Sequence, residues 1–311
     1  MAIADQEWPC LQEASSSPPA DDRIRGRRRV PAWVARLLES PSAVAGGLVL
    51  LFYVVLAAAG PLLAPYPYTE LHVADRLRGP SATYLFGTDE FGRDILSRLI
   101  EGTRSILLVS FCSTALGLFG GVVVGTIAGY RGGRTDEILM RTMDALMSFP
   151  SLLLAMLILT MVGPATGNII IGIAAVFTPR VARVVRSVVL GLRSLAYVEA
   201  ARLRGDSSLA IMVREILPNA LGPIIVEGAM RMSYAIVLGA SLGFLGLGVQ
   251  PPEADWGLMI SEARDFILIA PWMVLFPAAA ISLLVIAANL FADGLGHLLA
   301  VDGAAGGRAS V

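Results

Sequence analysis

From Pro41 to Thr69 the chain carries no charged side chain, and the same is true from Ser105 to Tyr130 and from Ala145 to Pro179. A helix needs roughly 20 apolar residues to cross the hydrocarbon core of a bilayer. In lipid the backbone must satisfy its own polar groups, so such runs become helices rather than loops or open strands. Repeated uncharged runs of this length therefore constrain the fold more than any single residue does. The expectation is an all-α polytopic membrane protein.

Six transmembrane helices are predicted. The first covers 43–64 and ends at Pro61 and Pro65; the second covers about 105–130. The run from Ala145 to Pro179 is too long for one simple span, and Gly163, Pro164, Gly167 and Asn168 supply turn chemistry near its middle. It divides into helices over about 145–162 and 168–189. The fifth and sixth spans occupy roughly 225–248 and 271–292, separated by a segment with Pro251, Pro252 and several carboxylates. The expected organisation is a basic tail over 1–40, disordered for its Ser, Pro and Arg content. A first span with an extracytoplasmic segment follows over 41–104, then a membrane core over 105–302 and a short tail over 303–311.

Arginine sets the expected orientation. With the N-terminus inside, the inner segments hold 17 of the 24 basic residues and the outer ones six. That is the bias of short cytoplasmic segments, so both termini are expected in the cytoplasm. Residues 1–40 include Arg23, Arg25, Arg27, Arg28, Arg29 and Arg36, which suit anionic membrane lipid.

Composition excludes several function classes. All 24 basic residues are Arg and none is Lys, so the chain has no Walker A loop of its own. A net charge of −1 gives no nucleic-acid footprint. Cys10 and Cys112 form neither a disulfide framework nor zinc spacing, and His72 and His297 are far apart. No catalytic, cofactor or metal residues are expected, and the chain reads as a non-enzyme.

The loop over about 191–222 has its own helical pattern: Glu199, Ala200 and Ala201, then Gly205, then Leu217 and Pro218. Two small side chains let a partner approach closely, and Gly205 lets the chain turn away. Pro218 is expected to stop one helix and start another. Arg202, Arg204, Arg214, Glu199 and Glu215 offer charges to a soluble surface.

That constellation resembles the EAA loop of ABC importer permeases. Phe86-Gly87-Thr88-Asp89, Gly92-Arg93-Asp94 and Leu96-Ser97-Arg98 are similar to the segment before span two of dipeptide, oligopeptide and nickel permeases. So are Gly129 to Gly133, Met143-Asp144, Pro150, Phe244 to Pro252 with Trp256-Gly257, and Asp293-Gly294-Leu295. The resemblance covers about 41–302 and fits the C-type member of the permease pair. It implies a heterodimer with a second, homologous permease subunit, two cytosolic ATP-binding subunits that carry the hydrolysis, and an extracytoplasmic substrate-binding protein. It also implies a bacterial inner membrane and a cargo of small peptides or nickel.

The pieces also have plainer readings. Gly-Thr-Asp and Gly-Arg-Asp suit local turns. Gly243, Gly246 and Gly248 suit a helix end or close helix packing. Met140, Met143 and Met147 share one face that suits packing. The chain departs from the family at Asp206 and at Glu227 and Arg231. The last two are four apart and can pair, either as an interfacial pair or as a polar patch lining the pathway. A secondary transporter or channel working without ATP, and a membrane scaffold, are the alternatives; the EAA-type loop argues against both.

Overall fold

The computed structural model describes residues 40–306; the tail over 1–39 and the last five residues lie outside them. Among the described residues there is no strand, only an isolated bridge between Thr88 and Asp94.

Helix α1 spans Pro41–Leu63; its N-cap Ser40 accepts from the Ala43 N–H, and Pro41 stands at a first-turn position where its missing N–H costs nothing. Helix α2 spans Ile95–Arg131 and begins ten residues before the predicted span. Asp94 caps it by accepting from Ser97 N–H, which places Arg98, Glu101 and Arg104 on the helix rather than in a loop. Helices α3, Gly133–Met147, and α4, Ser151–Val162, follow. Helix α5 spans Thr166–Leu192, α6 Ala196–Leu203 and α7 Ser208–Phe244. The short α8, Trp256–Ala263, and the long α9, Trp272–Gly306, complete the chain.

Five helices are long and apolar enough to cross a membrane: α1, α2, α5, α7 and α9. The third predicted span, 145–162, is not one helix. Helices α3 and α4 meet there at 90°, so a sixth crossing exists only if the bent pair is counted as one. Pro150 has a fixed φ and no N–H, and it disfavours helical geometry at Phe149 before it. The 12 residues of α4 reach about 18 Å, short of a hydrocarbon core. The turn after it is where the sequence placed it: Gly163 has φ +89°, and Asn168 Nδ2 donates to the carbonyls of Val162 and Gly163.

Helix α2 is the central element, packing on α1, α5 and α7, and its contact with α5 is the most extensive in the molecule. The cause is a stripe of glycines one turn apart: Gly117, Gly121, Gly125 and Gly129. A Cβ at Gly125 would lie 2.5 Å from the Ala182 carbonyl oxygen, and one at Gly129 2.9 Å from Val189 Cβ. Small residues at this spacing let two backbones approach. Helix α1 uses the same device against α9, where a Cβ at Gly46 would meet the Ala287 carbonyl at 2.6 Å. Large apolar side chains such as Phe52, Leu48, Phe111 and Phe119 point outward. In water these would be a defect; facing lipid they cost nothing.

Met143 is buried, with Met140 and Met147 half-buried, in keeping with a packing face on α3. Arg186 of α5 holds Asp136 of α3 through both its oxygens, and Arg183 holds Asp144, which ties α3 across α5. The first pair holds the Asp136 carboxyl below its ordinary range.

Candidate functional site

The loop after α5 is built from its apolar side outward. Val198 and Ala201 of α6 are fully buried in a cluster with Val181, Val185 and Val189 of α5 and Ile211, Ile216 and Ala220 of α7. Leu217 packs against the same cluster. Ala200 and Glu199 face outward. The two alanines therefore do not share a face. Ala201 fits α6 onto its own bundle, and Ala200, with Ala196 one turn before it, is left as a small side chain on the outer surface.

The end of α6 is set by Gly205 at φ +82°. Gly205 N–H donates to the Arg202 carbonyl at 3.0 Å, and Asp206 N–H donates to the Ala201 carbonyl at 3.2 Å. This is a Schellman cap, in which a left-handed residue lets two terminal carbonyls be satisfied. Nothing lies within 4 Å of where a Gly205 Cβ would be, so conformation and not space requires glycine within this chain. Asp206 also accepts from Arg204 at 2.9 Å; Arg204 in turn reaches Glu215 at 3.3 Å. Arg204 and Glu215 therefore pair inside the loop, leaving Glu199, Arg202 and Arg214 as outward charges.

Pro218 does not separate two helices. Helix α7 runs unbroken from Ser208 to Phe244. A π-helical turn, Ile211–Ile216, immediately precedes the proline, and the Leu217 N–H reaches back five residues to the Met212 carbonyl. The wider turn accommodates a residue that cannot donate and whose ring would crowd the preceding turn. Asn219 Nδ2 donates to the Glu215 carbonyl at 2.6 Å and so occupies an acceptor beside the irregular turn.

Glu227 and Arg231 pair along α7 with Nε to Oε1 at 2.6 Å, and the guanidinium stands 5.4 Å from the Tyr234 ring. Glu227 is 3% exposed. Val226 lies against Gly296 and Gly228 against Leu118, so the pair sits toward the end of the bundle where α1 begins and α9 ends. Arg231 is held against its own helix rather than extended toward head groups.

At the opposite end, the Gly-Thr-Asp and Gly-Arg-Asp pieces form more than turns. Asp89 Oδ1 accepts from Phe91 and Arg93 N–H, each at 2.9 Å, while Oδ2 receives Arg93 Nε at 2.6 Å and Arg98 Nη1 at 2.7 Å. Arg98 Nη2 continues to Glu262 of α8 at 3.1 Å. The segment before α2 is thereby tied to one from the far end of the chain. Nothing in the local sequence identifies Glu262 as the partner, 164 residues away.

Both readings of the late glycines hold. Gly246, at φ +78°, ends α7 in a second Schellman cap, with Leu247 N–H donating to the Leu242 carbonyl at 2.8 Å. Gly243 packs against the Asp255 carboxylate and Gly248 against Gly243. Asp255 caps α8 through Leu258 N–H at 2.8 Å, and burial raises its carboxyl to about 6. Among the described residues, no group of three or more His, Cys, Asp or Glu could hold a metal.

Known proteins match this arrangement along nearly its whole length. The family model "Binding-protein-dependent transport system inner membrane component" matches residues 121–300. The model "N-terminal TM domain of oligopeptide transport permease C" matches 32–80. A dipeptide transport system permease protein of Alkalihalophilus pseudofirmus is 40% identical over 92% of this chain and 94% of its own length. A glutathione transport system permease protein of Pectobacterium atrosepticum is 41% identical over 84% of this chain and 87% of its own. A probable D,D-dipeptide transport system permease protein of Escherichia coli is 37% identical over 96% and 99%. With its apolar helices and these relatives, the chain belongs to the binding-protein-dependent transport system inner membrane component family, as a multi-pass bacterial inner-membrane permease of the ABC importer type.

Proposed function

We propose that this permease forms half of a translocation pathway for small peptides, with a second, homologous permease subunit forming the other half. An extracytoplasmic binding protein delivers the peptide, and two cytosolic ATPases drive transport. The surface around Glu199, Ala200 and Gly205 receives one of them. The observation that carries the reading is the build of α6: Val198 and Ala201 anchor it rigidly to α5 and α7, while Glu199 and Ala200 stay outside. A partner that moved α6 would move the starts and ends of two long helices as one body. Peptide is favoured over nickel because the relatives at about 40% identity are named for dipeptide and glutathione transport.

On this reading the bent α3–α4 pair makes the return crossing between the parallel α2 and α5, and α6 and both termini face the cytoplasm, in line with the arginine bias. The test is to purify the permease pair, ask whether an ATPase accompanies it, and measure ATP-dependent uptake of labelled dipeptide and of nickel into vesicles. Dipeptide uptake with a retained ATPase supports the proposal. Nickel uptake alone would change the cargo, and uptake without any ATPase would favour the channel or secondary-transporter alternative. A Ser207→Cys variant labelled by an impermeant reagent from outside intact cells would overturn the orientation.

A further inference from the structure

Between α6, the end of α2 and the end of α5 lies an open cleft of about 610 Å³, lined by Tyr130, Arg131, Arg193, Ser194, Arg202 and Ser208. Three of its six lining residues are arginines and none is acidic. The three arginines come from different elements, and residues of α2 hold two of them. Arg193 donates to the Gly129 carbonyl at 2.9 Å, which anchors its guanidinium across the α2–α5 seam. Arg202 stacks over the Tyr130 ring at 5.2 Å. Arg131 ends α2 and is exposed. None of the three is ion-paired to another described residue. The carboxylate whose field reaches Arg193 is Asp136, and both of its oxygens are already held by Arg186.

We infer that this cleft binds a phosphate group. Three guanidiniums that line one cleft without a carboxylate among them repel one another, and an anion between them would offset that repulsion. Guanidinium forks match the paired oxygens of phosphate, and the serines add hydroxyl donors. The hydroxyl of Ser194 already donates to the Gly191 carbonyl, so Ser208 is the freer of the two. The size is that of a small-molecule site, and the polar lining excludes an apolar ligand. Two sources carry the same chemistry: an anionic phospholipid head group and a soluble phosphate compound. Either would bridge α6 to α2 and α5, bracing the outer helix against the bundle. The inference does not depend on α6 docking an ATPase.

The experiment uses the intact chain with its partner subunits, in lipid-depleted detergent and in nanodiscs. One arm titrates inorganic phosphate in detergent by calorimetry. The other measures phosphatidylglycerol retained from mixed phosphatidylcholine nanodiscs by native mass spectrometry. Arg131→Gln changes an exposed side chain, and Arg193→Lys keeps the charge of the anchored one. Arg141→Gln, on α3 and paired with Glu137, serves as the control. Saturable binding near one equivalent is expected in one arm, weakened roughly tenfold by Arg131→Gln, the scale of one charge-assisted hydrogen bond. It should be weakened less by Arg193→Lys and left unchanged by Arg141→Gln. Binding of phosphate in detergent identifies a soluble ligand; retention of phosphatidylglycerol alone identifies a head group. Binding in neither arm, or equal losses in Arg131→Gln and Arg141→Gln, overturns the inference. So does loss of ATPase retention in Arg131→Gln without any phosphate binding, because the cleft would then serve an acidic partner surface.

Discussion

Gly121 of α2 rests directly on Val181 of α5, and a Cβ there would also come within 2.9 Å of the Ala182 backbone nitrogen. Backbone cannot move aside as a side-chain tip can, so the helices would have to separate. Gly121→Leu is expected to destabilise the bundle by several kcal/mol, beyond the roughly 1–3 kcal/mol usual for an overpacked core. Gly191→Ala, on α5 with nothing within 4 Å, should be neutral or slightly stabilising. The measurement is the thermal unfolding midpoint of the purified chain in detergent. Equal midpoints for the two variants would mean that the α2–α5 seam tolerates separation.

How much of this was legible in the sequence depends on the residue. The spans followed from charge-free runs, because lipid admits few alternatives. The extension of α2 back to Ile95 was hidden by Arg98, Glu101 and Arg104, which look like a loop until Asp89 and Glu262 neutralise Arg98. The break at Pro150 had a visible cause in the proline, but a charge-free run alone cannot show whether its helix bends. The glycine stripe was readable as one Gly every four residues from 117 to 129, but not that α5 is the helix packed on it. Helix geometry separates Ala200 from Ala201 by about 100°, but which of them faces inward is set by the cluster that Ala201 enters. The Arg131, Arg193 and Arg202 cleft depends on three elements meeting, which no local pattern records.

Asp255 makes stability pH-dependent in the less usual direction. Its folded carboxyl is raised to about 6 by burial, against an ordinary 3.8, with hydrogen bonds from Leu258 and Gly257 opposing in part. Beside it a small cleft is lined by Ser105, Val109 and Ser110 of α2, Ile169 of α5 and Gly239 of α7, none of them charged. Between the two values the folded state holds a proton that the unfolded state releases. The stabilising contribution is therefore present below about pH 4 and is lost as pH rises through about 6, amounting to about 3 kcal/mol. Asp255→Asn keeps an acceptor for Leu258 N–H and removes the titration. The variant should unfold at a higher temperature than wild type at pH 7 and match it only near about pH 3, below both values. A wild-type advantage at pH 7 would show that the carboxylate is charged and favourable in place.

Glu227 and Arg231 need to be tested together. With Glu227 3% exposed, removing Arg231 leaves a buried carboxylate without its partner. Breaking a buried pair this way typically costs about 3–5 kcal/mol, whereas replacing both members can be neutral. Arg231→Leu alone should lower the yield of folded protein. Glu227→Leu with Arg231→Leu should restore it, and uptake by that double variant then reports on function. Slow uptake at normal membrane levels assigns the pair to the pathway; unchanged uptake leaves it as a structural pair.

The decisive substitutions are at Gly205, because its two roles can be separated. Within this chain it needs only a left-handed backbone, since no atom crowds its Cβ position. Any ordinary side chain at φ +82° costs roughly 1–2 kcal/mol, and Asn is the residue that tolerates it best. If α6 docks an ATPase, added bulk at Gly205 also collides with the partner, at the usual overpacking cost of about 1–3 kcal/mol, or about tenfold in affinity for each 1.4 kcal/mol. Gly205→Asn should therefore keep the helix end and lose only part of the coupling. Gly205→Ala tests the backbone cost nearly alone, and Gly205→Leu adds the bulk. We expect ATPase retention to fall from wild type through Ala to Leu, with uptake abolished in Leu while the permease pair stays in the membrane. Glu199→Ala should be milder than any of them, because an exposed ion pair contributes little. Retention of the ATPase on the purified pair, read beside dipeptide uptake in vesicles, checks the series. Equal losses in Ala and Leu would reduce Gly205 to a helix cap, and wild-type retention in Leu would mean that no partner covers this end of α6.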